Sequence, residues 1–122
     1  MQKKTVLVVE DSGSFRQVVA GALEKVGYEV IQAIDGLDAC EKLDGRKIGL
    51  IVCDINMPRM DGLTFVERVK STNYKFTPIL MLTTEGQQAT KDKGRALGVR
   101  GWIIKPFQPA TLVQAVEKLY QG

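Results

Sequence analysis

The chain contains no histidine, and this absence narrows the chemistry that it can perform. Without histidine it has no Ser–His–Asp triad, no imidazole acid–base catalysis and few of the ligand sets used by zinc. Cysteine is also scarce, since Cys40 and Cys53 are the only two and are far apart in sequence. We interpret both as small apolar core residues rather than as parts of a disulfide framework or a metal site.

The chain also lacks a strong charge imbalance and a long hydrophobic segment. Its 17 basic and 14 acidic residues leave a formal net charge of +3, too small and too dispersed to favour binding of nucleic acid. No segment has the length of a membrane span, and a strand pattern begins directly after Lys4, so we expect neither membrane insertion nor a signal peptide. The sequence predicts a single domain over residues 1–122, cytoplasmic and monomeric.

The sequence does contain four short apolar runs, each followed by polar residues. The runs are Val6–Val9 before Glu10 and Asp11, Leu50–Cys53 before Asp54, Ile79–Leu82 before Thr83, and Gly101–Ile104 before Lys105. Unbroken runs of this kind are typical of parallel strands that are buried on both faces. Because parallel strands end at one edge of a sheet, we expect these polar side chains to converge where open α/β sheets bind ligands.

Helical patterns separate the strands. The first is predicted to be capped by Ser14 and ended by Gly27, with the core residues Phe15, Val18, Val19, Ala22, Leu23 and Val26. Others begin after Asp35-Gly36, carrying Leu37, Cys40 and Leu43; near Asp61-Gly62, with Leu63, Val66 and Val69 facing the sheet; and at Pro109, continuing to Tyr120.

The segment from about 87 to 97 has the weakest helical pattern, because it offers only Ala89, Ala96 and Leu97 to the core. With Val30-Ile31 as a short second strand, strands and helices alternate five times. The sequence therefore predicts an α/β fold of the flavodoxin-like type. This is a (βα)5 three-layer sandwich around a five-stranded parallel sheet in the order 2-1-3-4-5.

Glu10, Asp11 and Asp54 place three carboxylates at the predicted edge. Like charges that lie so close repel one another unless a cation intervenes, and Mg²⁺ suits such a set because it takes hard oxygen ligands and keeps several waters. Neighbouring strand residues point to opposite faces, so Glu10 and Asp11 can both serve only if the strand has already ended. We expect Asp11 and Asp54 to bind the metal directly and Glu10 to hold a metal-bound water.

A carboxylate beside a divalent cation can act as a nucleophile towards phosphorus and form an acyl phosphate. In-line displacement then needs charge stabilisation on the phosphoryl oxygens, which Lys105, Mg²⁺ and the Thr83 hydroxyl are able to provide, while the small Thr84 leaves room beside them. Taken singly, each residue also has a plain structural interpretation as a turn, strand or surface residue. Their joint occurrence at successive strand ends favours function.

Four motifs resemble those of response-regulator receiver domains of the CheY-like type. They are Val8–Asp11, Asp54–Gly62, Leu82–Glu85 and Lys105–Phe107, and the resemblance covers essentially the whole chain. It implies that Asp54 accepts a phosphoryl group from the phosphohistidine of a sensor histidine kinase, so that the chain is a signalling switch rather than an enzyme. It also implies a cis peptide between Lys105 and Pro106.

The resemblance further implies that Glu10, Asp11 and the backbone carbonyl of Asn56 organise Mg²⁺ around Asp54, and that Thr83 and Lys105 bind the phosphoryl oxygens and transmit their presence. Many members of the family have Asp where this chain has Glu10. The longer side chain leaves the details of the metal shell open.

Asn56, Glu85 and the segment Gly101–Phe107, with an aromatic residue at Trp102, resemble the stand-alone chemotaxis regulators. We expect phosphorylation to draw Thr83 inward and Trp102 into the vacated space, although plain packing on an edge strand would also explain Trp102. The segment after Gly86 would move most easily. It carries Lys91, Lys93 and Arg95, which could contact an acidic partner helix.

The leading hypothesis is a switch that binds an effector such as a flagellar motor switch protein when phosphorylated, with a phosphatase as a possible further partner. An alternative is a stand-alone receiver, or one excised from a longer kinase or transcription factor, that acts as a phosphate sink or relay or regulates a non-chemotaxis output. An FMN-binding protein is disfavoured because Glu10-Asp11 stands where a Ser-, Thr- and Gly-rich phosphate loop would be needed. A metal-dependent phosphohydrolase is chemically conceivable, but we expect no useful turnover.

Overall fold

Five strands alternate with five helices in the computed structural model, which describes residues 4–57, 59–84 and 88–120. The elements are β1 Thr5–Val9, α1 Gly13–Lys25, β2 Glu29–Ala33, α2 Gly36–Lys42, β3 Leu50–Asp54, α3 Gly62–Lys70, β4 Ile79–Thr83, α4 Gln88–Ala96, β5 Gly101–Ile104 and α5 Pro109–Leu119. Within these residues, none of the helices has the length and apolar character needed to cross a membrane.

The five strands form one parallel sheet in the order β2-β1-β3-β4-β5. This confirms the predicted fold. The register places Val9 beside Cys53, Asp54 beside Leu82, and Thr83 beside Ile104. The strands therefore end at nearly the same level, and the polar residues that follow the apolar runs share one edge.

The sheet is the middle of three layers, and a hydrophobic cluster fills each of its faces. On one face Phe65, Val66 and Val69 of α3 pack with Ala39 of α2, and on the other Val19 and Leu23 of α1 pack with Leu112 and Val116 of α5. Every residue of β1, β3 and β4 is buried. The carboxyl ends of these three strands are consequently held from both sides.

The predicted cap of α1 was wrong by two residues. Ser12, not Ser14, accepts the hydrogen bond from the Phe15 amide, at 3.4 Å. The helix begins early because the Ser12 amide donates to Oε2 of Glu10, at 3.1 Å, which turns the chain immediately after β1. The predicted end at Gly27 is confirmed, since this residue has a φ of 99°, which favours glycine.

Asp35 and Asp61 begin the next two helices by accepting the amides of Asp38 and Thr64, both at 2.8 Å. Four residues predicted to lie in the core are exposed instead, namely Val18, Val26, Leu37 and Ala96. In α1 the buried stripe is narrower than predicted, since it follows Val19 and Leu23, four residues apart, and leaves the flanking valines outside. Ala89 lies outside the described side chains.

Each helix carries at least one basic residue in its last turn: Lys25; Lys42; Arg68 and Lys70; Lys93 and Arg95; and Lys118. Positive charge at a helix carboxyl end stabilises the helix dipole. Because each helix starts at the carboxyl edge of the sheet and returns to the amino edge, these cations lie at the edge opposite the site described next.

Candidate functional site

Glu10 follows β1 and is 1% exposed. Its Oε1 accepts from Nζ of Lys105 at 2.7 Å, and its Oε2 accepts from the Ser12 amide. Arg16 donates from Nη1 to the Glu10 carbonyl at 2.8 Å and from Nε to the side chain of Gln32 at 3.1 Å. The side-chain carboxylate and the backbone carbonyl of Glu10 are thus both held by hydrogen bonds from neighbouring elements.

Asp54 is the last residue of β3 and is 4% exposed. Its Oδ1 lies 2.9 Å from Nζ of Lys105. The chain leaves the strand against the start of α3, where a Cβ added to Gly62 would lie 2.8 Å from Cα of Ile55 and would collide with the Asp54 carbonyl. Glycine at position 62 therefore lets the helix approach the strand end, and this close approach fixes the backbone beside Asp54.

Lys105 connects the ends of β1, β3 and β4. Its ammonium group binds both Glu10 and Asp54, and its backbone amide donates to the Thr83 carbonyl at 2.7 Å. The Lys105–Pro106 peptide is cis, as the resemblance implied. The ammonium also lies 4.3 Å from the centroid of the Phe15 ring, a cation–π geometry that covers the ion pair with an apolar group.

The protonation equilibria of this network reflect burial. Desolvation raises the pKa of Glu10 and of Asp54, although the hydrogen bonds from Lys105 oppose the change in both. Burial alone would lower the pKa of Lys105, but its bonds to the two carboxylates outweigh burial and raise it. The carboxylates are therefore costly to ionise, and a cation is what stabilises their charged form.

Asp11 completes a set of three carboxylates, because one oxygen each from Glu10, Asp11 and Asp54 lie within 4.8 Å of one another. Asp11 is exposed, whereas the other two are buried. Asn56 is also exposed and follows Asp54 by two residues on the loop that leaves β3. The predicted convergence of the three acidic residues is confirmed, and solvent reaches the set at Asp11.

The loop after β3 is tied to the amino end of α2. Arg59 donates from Nε to Oδ2 of Asp35 at 2.6 Å, and its Nη2 lies 2.5 Å from the same oxygen. Asp35 is buried, and its other oxygen caps α2. Arg59 adopts a φ of 65°, in the left-handed region, so this backbone conformation and the ion pair are formed together.

The remaining predicted residues lie towards β4 and β5. Thr83 ends β4 and is buried, Thr84 is exposed, and Lys91 on α4 is half-buried. Trp102 of β5 is half-buried and packs on the sheet face that α3 covers. Glu85, predicted to take part in the output, lies outside the described residues.

Several contributions were missed at the sequence level. Phe15 packs against the core cluster as predicted, but the sequence did not indicate that its ring also stacks edge-on against Phe107, at 5.7 Å between centroids, and covers Lys105. Asp35 was interpreted only as the start of a helix. The sequence did not indicate the hydrogen bonds of Arg16 and Arg59, because their partners are distant in sequence. The prediction of Glu10 as a holder of a metal-bound water did not anticipate its direct ion pair with Lys105.

Three carboxylates at the carboxyl edge of a 2-1-3-4-5 sheet, two of them bridged by a lysine, are the arrangement expected of the receiver class of signalling domains. The model of the response regulator receiver domain matches residues 6–117, and the chain belongs to this family.

Its relatives include chemotaxis proteins. The chain is 40% identical to chemotaxis protein CheY1 of Helicobacter pylori over 115 residues, which span 92% of this chain and 93% of that protein. It is 37% identical to protein PilG of Pseudomonas aeruginosa over 113 residues, which span 92% and 84% of the two chains. The structure of Vibrio cholerae chemotaxis protein CheY4 superposes with a TM-score of 0.92 at 44% identity and covers 97% of this chain and 99% of that one.

Proposed function

We propose that Asp54 is the phosphoacceptor of this receiver domain. A carboxylate oxygen of Asp54 attacks phosphorus, a P–O bond forms, and the bond to the donor's leaving group breaks with its electron pair remaining on that group. Membership of the receiver family supports a phosphohistidine of a sensor histidine kinase as the donor. Because this chain has no histidine, the partner must supply that residue. The observation that carries this proposal is the Lys105 ammonium, held 2.9 Å from the attacking carboxylate.

Lys105 and Thr83 are proposed to bind the incoming phosphoryl oxygens. The phosphoryl group spreads negative charge over its oxygens in the transition state, so fixed donors beside Asp54 lower the barrier. Lys105 already lies at that position, and its backbone is joined to Thr83 at the neighbouring strand end. On phosphorylation the ammonium would exchange a carboxylate partner for a phosphoryl oxygen while remaining covered by Phe15.

Three carboxylates within 4.8 Å, two of them with a raised pKa, fit a divalent cation. We propose that Asp11 and Asp54 hold Mg²⁺ directly, with Glu10 and the backbone carbonyl of Asn56 completing its surroundings. The cation would supply charge neutralisation that allows an anionic donor to approach the three carboxylates. Slow hydrolysis of the acyl phosphate at the same site would reset the domain.

We further propose that the modified domain changes its affinity for an effector through Trp102 and the neighbouring α4. Likeness to chemotaxis protein CheY1 and chemotaxis protein CheY4 supports a flagellar motor switch protein as the effector. The alternative of a phosphate sink, relay or other output remains a distinct proposal. The two differ in whether phosphorylation changes binding to a motor-switch peptide.

The phosphoacceptor is tested by incubating the chain with acetyl phosphate and Mg²⁺ and measuring intact mass. We expect one added phosphoryl group in the wild type, none in Asp54→Asn, and none in the wild type when EDTA removes the cation. Asp61→Asn is a matched control, because Asp61 caps α3 outside the carboxylate set and should leave phosphorylation intact. An unmodified wild type under a competent donor would overturn the proposal.

A further inference from the structure

The way in which α4 attaches to the domain differs from that of α1 and α3. Those helices insert large apolar side chains into the core, such as Leu23 in α1 and Phe65 in α3. Among the side chains that the structure describes in α4, residues 90 to 96, Gly94 alone is buried. A glycine inserts no side chain, so residues 90 to 96 have no apolar anchor of their own. The nearest one is Leu97, which directly follows the helix, is half-buried and packs against the same cluster as Trp102.

Trp102 of β5 makes the contact that α4 lacks. A Cβ added to Gly94 would lie 2.9 Å from Cη2 of the indole and would collide with Cζ2, whereas real Cβ atoms essentially never approach within 3.0 Å. The same Cβ would also meet Cγ2 of Val99 at 3.4 Å. The edge of the indole therefore lies against the backbone of α4, and at residues 90 to 96 the apolar side chain in this contact comes from the strand.

We propose that Gly94 is a positioning residue for Trp102, and that the contact between Gly94 and the indole is the principal attachment of the described part of α4 to the sheet. The helix and the indole then move together, because either one leaving its position removes the support of the other. The signalling consequence rests on the proposed function: reorientation of Trp102 would release α4, which carries Lys91 and Lys93.

The chain offers a matched control for this inference. Gly21 is also an interior helix glycine, in α1, but a Cβ added there would meet nothing within 4 Å. Replacing either glycine by alanine gains the same helix propensity. Only the change at position 94 introduces a collision, so the difference between the two variants isolates the contact with Trp102.

The test compares Gly94→Ala, Gly21→Ala, Trp102→Ala and the double variant Gly94→Ala/Trp102→Ala in the unphosphorylated full chain. Trp102 is the only tryptophan, so its emission reports its surroundings without labelling. We expect Gly21→Ala to raise the urea midpoint and leave the emission unchanged. We expect Gly94→Ala to shift the emission to the red and to speed amide exchange in α4 by about tenfold or more.

In the absence of the indole the collision disappears, so Gly94→Ala should raise the urea midpoint in the Trp102→Ala background as Gly21→Ala does in the wild type. This arm also covers the case in which Gly94→Ala does not fold, because removal of the indole should then restore folding. Two results would overturn the inference. One is a Gly94→Ala protein that matches Gly21→Ala in emission and urea midpoint. The other is a Gly94→Ala change that lowers the urea midpoint equally with and without Trp102. No phosphoryl donor is used, so either result leaves the assignment of Asp54 intact.

Discussion

The strands that carry the carboxylates and the segment that carries Trp102 are packed very differently. Every residue of β1 and β3 is buried, and Glu10 and Asp54 emerge from these strands already bound to Lys105. On β5 only Ile103 is buried, and the described side chains of α4 contribute only a glycine to the interior. Phosphoryl transfer needs atoms fixed to within a fraction of an ångström, whereas a signal needs an element with two arrangements. Under the proposed function, the domain would provide each on a different part of the sheet.

The largest expected effect comes from removing one aromatic side chain from each of the two regions, Phe65 beside β3 and Trp102 on β5. Phe65→Ala should lower the free energy of unfolding by about 3–5 kcal/mol, because its fully buried ring packs beneath β3 and leaves a cavity. Trp102→Ala should cost only about 1–2 kcal/mol, because the indole is half-buried and its surroundings can adjust. Urea unfolding measures both. Equal losses of unfolding free energy in the two variants would show that the β3 region and the β5 region are packed equally tightly.

The next effect concerns the loop that leaves β3. Arg59→Gln should lower the free energy of unfolding by about 1–3 kcal/mol, because it leaves the buried Asp35 carboxylate without its charged donor. Arg46→Gln is the matched control: Arg46 also forms a two-bond ion pair, with Asp44, but on the exposed surface. We expect no measurable change there, since solvent screens such pairs.

The loss in Arg59→Gln should also depend on pH. The Asp38 amide, and then Arg59, hold the pKa of Asp35 below its ordinary value of 3.8. Stability from this carboxylate is therefore present above pH 3.8 and is lost as the pH falls through the lowered, folded-state value. The difference from the wild type should be full at pH 7 and shrink in acid. A difference independent of pH would mean that Arg59 acts by packing alone.

A smaller effect of opposite sign is expected at Asp54, the proposed phosphoacceptor. Burial raises the pKa of Asp54 above its ordinary value of 3.8, so ionisation costs stability as the pH rises from 3.8 through the folded-state value, and the cost persists at pH 7. Asp54→Asn should therefore raise the urea midpoint at pH 7 without divalent cations and match the wild type below pH 3.8. Added Mg²⁺ should stabilise the wild type more than the variant. A less stable Asp54→Asn protein at pH 7 would show that the bond to Lys105 outweighs burial.

The smallest effect concerns reactivity and not stability. Burial raises the pKa of both thiols, but Cys53 on β3 is fully buried whereas Cys40 on α2 is half-buried. A disulfide reagent should modify Cys40 in the native protein and reach Cys53 only at the rate of global unfolding. Cys40→Ala leaves the Cys53 reaction to be followed alone. Modification of Cys53 well before unfolding would show that β3 opens locally beside Asp54.

The sheet and the convergence of the acidic residues could be predicted because both depend on local signals. Apolar runs such as Val6–Val9 identify buried strands, and few topologies connect five of them with right-handed crossovers. The polar residue after each run must then lie at the carboxyl edge of the sheet. Even the cap of the third helix at Asp61 followed from the dipeptide Asp61-Gly62.

The contacts that were missed depend on residues far apart in the chain. Gly94 lies between two cations in a polar segment, and only the folding of β5 brings Trp102 onto it. Asp35 and Arg59 are 24 positions apart, and Arg59 adopts a left-handed backbone conformation that nothing in the sequence predicts. Periodicity reports which face of an element is apolar, but it carries no information about which distant side chain meets that face.

The basic residues in the last turns of the helices also determine how the molecule meets others. The amino ends of the helices, with their partial positive charge, surround the carboxylates, whereas the last-turn cations lie at the far edge. Basic side chains at one edge of the sheet and the three carboxylates at the other therefore separate charge, although the net value is only +3 and Glu24, Glu41, Glu67 and Glu117 partly offset the last-turn cations. A charged surface exerts a torque on such a molecule before contact, over about 8 Å at physiological salt. We therefore expect a cationic surface to favour approach by the edge that carries the carboxylates.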